Sequence, residues 1–321
     1  MDIPVRHCHA IQPSRSHTRS ECARMAIVFV FIDGIGLTDA RSDNPFATTD
    51  MRFVQALVGA PLLHNAVGRH RHALLKAIDA CFSVPGLPQS GTGQTALFAG
   101  IDAVGLVQRH QSHFPPTALQ QTLRDQSVLR RALTHGSSAF ANAFDSGFWD
   151  AIATRKLRKS ASVIAAEGAD VRFRTVDDLV AGQALSWDIT SDVMQTRHPE
   201  RVAAIDPYDA GVNLARLAQG HVLTLYETFL TDLVGHGRST IDAATVVTRI
   251  DRLIGGVVAT LRPQDSLVIS SDHGNFECQS DPSHTRNPVP LLVVGPACDT
   301  LHEVTDISHI ADALVRVMRP E

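Results

Sequence analysis

The chain has 321 residues, 44% of them hydrophobic, enough to bury a sizeable core as one large domain or two smaller ones. A formal charge of −4 and a pI near 6.5 give no electrostatic attraction for nucleic acid or an acidic membrane, and no apolar run approaches the roughly 18 residues of a membrane span. The five cysteines (Cys8, Cys22, Cys81, Cys278, Cys298) are odd in number, scattered and without a CxxC pair, which speaks against a disulfide framework or a thiolate zinc site and for reduced thiols in the cytoplasm.

Residues 1–24 are polar, with several Arg and His, and lack the apolar segment of a signal peptide. They read as a flexible leader, with Met25 a candidate start; the His7-Cys8-His9 cluster has metal-binding residue types, and a polar tail explains it better. Ala26 to Ile32 is a seven-residue apolar run, read as a buried strand, that ends in Asp33-Gly34-Ile35-Gly36. A turn-rich stretch passes through Asp43, Asn44 and Pro45, and a helix is predicted over His72 to Ala80. In SVPGLPQSGTGQTALFAG, Ser83 to Gly100, Pro and Gly mark a loop through Gly93, and the small and apolar residues Gln94 to Ala99 suit a helix. Gln126 to His135 read as helix and Ser137 to Phe144 as strand.

From Asp145 to about Asp206 the pattern weakens into an Arg- and Lys-bearing helix (Arg155 to Lys159) and mixed elements with Pro199 and Pro207. This segment, 145–206, is the expected cap or insertion in a core made of 25–144 and 207–321. His221 to Phe229 is a β-rich run leading into Asp232-Leu233-Val234-Gly235-His236. Asp242 to Leu261 carries Val246, Ile250, Leu253, Val257 and Leu261 at helical spacing, with Ser239 or Thr240 as N-cap. Leu267 to Ile269 form a strand that stops at Asp272-His273-Gly274-Asn275; His284 follows in a polar loop before a second apolar run, Leu291 to Val294. A last helix covers about Ile307 to Met318. Strands alternating with helices indicate an α/β sheet with helices on both faces.

Three predicted strands thus deliver Asp or His side chains just past their carboxyl ends. In an open parallel α/β sheet those ends share one edge, where ligands bind. Any one of these residues alone is more often a turn residue or a cap; three clusters plus His284 point to divalent metal ions. Ser90, in a Gly-rich loop at a helix start, is the candidate nucleophile, because backbone N–H groups and the helix dipole favour negative charge there. On local sequence alone a simple N-cap serine explains it too, and Thr92 is nearly as good a candidate.

These pieces resemble the alkaline phosphatase superfamily, nearest to the branch of cofactor-independent phosphoglycerate mutase and phosphopentomutase. The resemblance is carried by Asp33-Gly-Ile-Gly36, Asp232-Leu-Val-Gly-His236, Asp272-His-Gly-Asn-Phe-Glu277 and His284-Thr-Arg-Asn-Pro-Val-Pro290, in the family's order and spanning nearly all of the chain after residue 25. In that superfamily the nucleophile precedes a helix-end Gly by ten residues, an interval that Ser90 and Gly100 reproduce and Thr92 does not. The resemblance implies a three-layer α/β/α sandwich with a mostly parallel sheet and a small cap. It also implies two divalent metal ions, one on Asp33, Asp272, His273 and Ser90, the other on Asp232, His236 and His284. Mixed carboxylate and imidazole ligands suit Mn²⁺ or Zn²⁺.

The chain departs from the mutases of this group in lacking their large inserted domain. Only about twenty residues, Ile101 to Thr122, separate the Ser90 helix from the next core helix. A mutase must keep its phosphoryl-enzyme dry, and a small cap admits water. The segment after Ser90 also lacks the His of the mutases and the Pro and Arg of the sulfatases. The expectation is therefore a phosphomonoester or phosphodiester hydrolase on a small phosphorylated substrate, with a phosphomutase or a non-catalytic metal-binding protein as alternatives. Arg109, His110, His113, Arg155, Lys156, Arg158, Lys159 and Arg286 are candidates for binding substrate phosphate.

Overall fold

The structure, a computed structural model, describes residues 25–319. The expected leader, with His7, Cys8, His9 and Cys22, lies outside them. Seven strands form one sheet: β1 (Ile27–Ile32), β2 (Gly68–Arg69), β3 (Ala73–Ile78), β4 (Ser138–Phe140), β5 (Leu223–Thr228), β6 (Ser266–Ser270) and β7 (Val289–Val294), in the spatial order β2-β3-β7-β6-β1-β5-β4. β4, β5, β1 and β6 are mutually parallel, β7 is antiparallel to β6 and β3, and β2 is antiparallel to β3. Five of the seven strands therefore run in one direction, in a mixed sheet.

β1 is central and buried along its whole length, which explains its unbroken apolar sequence. Its side chains alternate between two cores. Ile27, Phe29 and Phe31 pack with the helices Ser90–Ala99, Ala161–Gly168 and His309–Val317. Val28, Val30 and Ile32 pack with the helices Pro207–Ala218 and Ala243–Thr260. The result is a three-layer α/β/α sandwich. Phe98 anchors one layer, its ring edge-to-face with Phe31 at 5.4 Å and Phe29 at 6.3 Å. Truncating a ring buried to this degree costs about 3–5 kcal/mol. Among the described residues no helix is long and apolar enough to cross a membrane.

Four local expectations change. His72 to Ala80 is not a helix; its centre is β3, paired with β2 and β7. Its Ala, Leu and Lys residues have high helix propensity, but strand pairing and burial against β7 outweigh it. Arg155 to Lys159 is not helical, because Arg155 turns into the left-handed region (φ 59°) just after the helix Ser146–Ala153. The helix expected from Gln94 begins at Ser90. The long helix Ala243–Thr260 is N-capped by Asp242, whose side chain accepts from Thr245 N, rather than by Ser239 or Thr240.

Residues 145–206 are not uniform. The Ala161–Gly168 helix belongs to the sheet's own core, while Val176, Ala184, Met194 and Val202 form a small separate cluster with Ala143.

Candidate metal centre

Strand register assembles the site. Ile32 of β1 lies level with Thr228 of β5, and Phe31 with Ser270 of β6. Asp33, Phe229 and Asp272 therefore follow at the same level, with His273 next. The helix Leu230–Gly235 starts directly after β5 and sets Asp232 and His236 one turn apart, their Oδ1 and Nε2 at 3.3 Å.

Two groups of ligand atoms result. Asp33, Asp272 and His273 offer atoms within 4.8 Å of one another, as do Asp232, His273 and His284. His273 Nε2 lies 3.3 Å from Asp33 Oδ1 and 3.6 Å from Asp272 Oδ2. His284 Nε2 lies 3.7 Å from Asp232 Oδ1 and 3.1 Å from His236 Nε2. The structure thus brings together all seven residues named from the sequence, Ser90 included: its Oγ is 3.0 Å from His273 Nε2.

The donor set fits cations. Buried Asp33 Oδ1, Asp232 Oδ1 and both carboxylate oxygens of Asp272 have no hydrogen-bond partner, an arrangement that is costly without a compensating charge. The Nδ1 atoms of His236 and His284 each donate to a backbone carbonyl, of Pro282 and Pro88, both at 2.7 Å. As neutral rings they then face each other and Asp232 with lone pairs on Nε2, the orientation that carbonyl partners impose on metal-binding imidazoles.

Electrostatics follow from crowding. Burial, then the neighbouring Asp272 and Asp232, hold the Asp33 carboxyl well above its usual range. Burial likewise raises Asp232, against the pull of His273 and His236. His273 loses solvation too, but Asp272, Asp33 and Asp232 outweigh that and raise it to about 10. His284 is lowered to about 3 by burial and by His273, whose ring stacks on it at 3.7 Å.

The helix from Ser90 to Ala99 starts so close to the site because it contains glycine. A Cβ on Gly93 would lie 2.9 Å from the Asp272 carbonyl oxygen. Gln89 is the N-cap, without a side-chain cap bond, so Ser90 is the first helical residue and not a cap. Thr92 is fully buried, and its Oγ1 accepts from Gln111 N at 3.2 Å.

Several site residues have no role assigned from the sequence. Gln94, one turn after Ser90, donates to Asp33 Oδ2 at 3.0 Å; its i+4 spacing was the available signal. Glu277 is fully buried, accepts at Oε2 from Gly36 N and Asn275 N, both at 2.9 Å, and at Oε1 from Thr285 Oγ1 and Asn287 Nδ2. It ties three site loops together. Glu227, an acid inside a β-rich run, is buried and raised by burial to about 8.

A cavity of about 890 Å³ opens over Ser90 and the two clusters. Of the basic candidates named from sequence, His113 and Arg158 line it; Arg197, Arg238, Asn142 and Glu227 join them unforeseen. Arg109, His110, Arg155, Lys156, Lys159 and Arg286 are not among its lining. His110 bonds to the Val84 carbonyl at 3.0 Å and Lys159 pairs with Glu167.

A family model described as "Metalloenzyme superfamily" matches residues 25–319. The chain is 36% identical over 98 residues to a 2,3-bisphosphoglycerate-independent phosphoglycerate mutase of Rhodopseudomonas palustris, covering 27% of this chain and 18% of that protein. It is 39% identical over 74 residues to a phosphopentomutase of Chromohalobacter salexigens, covering 23% and 18%. The matched regions thus span under a fifth of either relative. Among solved structures, the PH0037 protein from Pyrococcus horikoshii superimposes with a TM-score of 0.55 at 12% identity over 92% of this chain and 97% of that one, a likeness of fold.

Proposed function

The chain belongs to the metalloenzyme superfamily, and from that premise we propose that its centre binds two divalent ions, Mn²⁺ or Zn²⁺, and performs phosphoryl transfer from Ser90, with water the usual acceptor. The observation that carries this reading is the placement of Ser90 Oγ within 3.0 Å of His273 Nε2, the imidazole shared by both ligand groups. Asp33, Asp272, His273 and Ser90 would hold one ion, and Asp232, His236 and His284 the other. When bound, the pair supplies positive charge that stabilises the phosphoryl oxygens.

The protein's own groups define the remaining chemistry. Ser90 Oγ attacks phosphorus, its proton leaves, the P–O bond to the organic group breaks and the departing oxygen is protonated. Water then displaces phosphate from Ser90 and restores the hydroxyl. The positive end of the Ser90–Ala99 helix favours the charge that builds up there. Gln94 fixes Asp33, and the Pro282 and Pro88 carbonyls fix His236 and His284. The names of the relatives favour a second reading, a phosphomutase, in which an alcohol of the substrate replaces water.

Elemental analysis tests the centre. Saturated protein should hold two ions per chain; Asp272→Ala with His273→Ala should abolish one site, and His236→Ala with His284→Ala should weaken the other. A single ion at saturation, indifferent to both pairs of changes, rules the assignment out. With two ions bound, failure to turn over any ester in a panel of phosphomonoesters, phosphodiesters and sugar phosphates would leave a metal-binding protein without catalysis.

A further inference from the structure

We propose that the cavity over the centre is a ring-binding subsite, selecting phosphoesters whose organic part carries an aromatic ring over small polyol and sugar phosphates. The inference rests on the phosphoryl-transfer reading and adds a substrate class to it. A phosphoryl group at Ser90 leaves the organic part of the ester in this cavity, so its walls set specificity. Four of the chain's 13 Phe and one of its two Trp line it: Phe114, Phe144, Phe148, Phe229 and Trp187. Every one of these rings is only partly buried, unlike the fully buried Phe29, Phe31 and Phe98 of the sheet core. Half-buried rings around a cavity leave apolar surface that a ring-bearing ligand can cover.

The rings are placed where an ester would reach them. Phe229 immediately precedes the helix that carries Asp232. Phe114 backs onto the start of the Ser90 helix, so closely that a Cβ on Gly91 would lie 2.3 Å from its carbonyl oxygen. Phe144 and Phe148 pair at 4.6 Å between centroids, and Trp187 and Phe229 at 6.2 Å. Two of the lining cations are already engaged: the Arg158 guanidinium lies 4.8 Å over the Phe114 ring, and Arg197 pairs with Asp145 at 3.1 Å. Arg238 and His113 line the cavity as well, and with Arg158 over Phe114 the rings left to meet a ligand are Phe144, Phe148, Phe229 and Trp187.

The test compares 2-phenylethyl phosphate with glycerol 1-phosphate on the full, metal-loaded chain. Both leave as unactivated primary alcohols, so the ratio of kcat/KM reads contacts to the organic part. It should favour the ring ester by about ten- to hundredfold. A second readout needs no turnover: in calorimetric titrations 2-phenylethylphosphonate should bind about tenfold or more tighter than ethylphosphonate. Trp187→Leu and Phe148→Ala should each narrow both ratios. Equal phosphonate affinities, or a preference for glycerol 1-phosphate, overturn the ring subsite and leave phosphoryl transfer standing. Ring-selective phosphonate binding without turnover of any ester supports the subsite and removes the phosphoryl-transfer reading instead.

Discussion

Ser90 and Thr92 stand two positions apart, and their hydroxyls meet different surroundings. Ser90 Oγ faces His273, whereas Thr92 Oγ1 is buried against the Gln111 backbone. Ser90→Ala should lower turnover by roughly three orders of magnitude while metal content and fold persist, and Thr92→Ala by no more than about tenfold. A larger loss in Thr92→Ala at equal metal content would mean that the wrong hydroxyl had been chosen. Glu227 allows a separate measurement. Burial, opposed by the Ser162 hydroxyl, raises its carboxyl from an ordinary 4.5 to about 8. Between those values the folded chain keeps a proton that the unfolded chain has released. The stability linked to Glu227 is thus fully present below about 4.5 and is lost as pH rises through 8. Each pH unit of that interval is worth about 1.4 kcal/mol. In chelator-treated protein, Glu227→Gln should gain melting temperature relative to the parent from about pH 5 to pH 8, then level off. Parallel curves across that range would show that the carboxyl ionises within the fold without cost.

At the scale of elements, the strand ends were legible because β1 and β6 are short apolar runs that stop at charged residues. The convergence of Asp33, Asp232, Asp272 and His273 then follows from parallel order alone. What stayed hidden depends on partners far away in sequence. β3 reads as a helix until β7 pairs with it. The Ser90 helix reads as a loop because Gly91 and Gly93 serve close packing against other backbone, a need that no local pattern reveals. Glu277 sat within a motif already noted, yet its role appears only when Gly36, Asn275, Thr285 and Asn287 gather around it. It holds the loops after β1 and β6 and the loop that carries His284. Glu277→Gln replaces an acceptor with a donor facing some of these groups. Metal affinity, read by chelator competition, should drop by about 10- to 100-fold. Unchanged affinity would show that the loops hold their positions without this carboxylate.

For the whole molecule, the proposed function turns on what would happen to a phosphoryl group carried by Ser90. Between the Ser90 helix and the helix Gln120–Gln126 the chain makes only short elements, Ala103–Val107 and Thr117–Leu119. Nothing there is large enough to enclose a substrate. The segment 145–206 also gives part of itself, the Ala161–Gly168 helix, to the sheet core, which leaves less of it free to act as a lid. The cavity bordered by Phe148, Trp187 and Arg197 from this segment therefore shapes the organic part of a substrate more than it excludes water. With both ions bound, phosphate should be released from simple phosphomonoesters at neutral to alkaline pH. Labelled phosphoglycerate and ribose phosphate followed by NMR provide the deciding experiment. Inorganic phosphate accumulating without an isomerised product fits the open cavity. Clean isomerisation with negligible free phosphate would mean that the 145–206 segment closes tightly after all, and the chain would then be a mutase with a minimal cap.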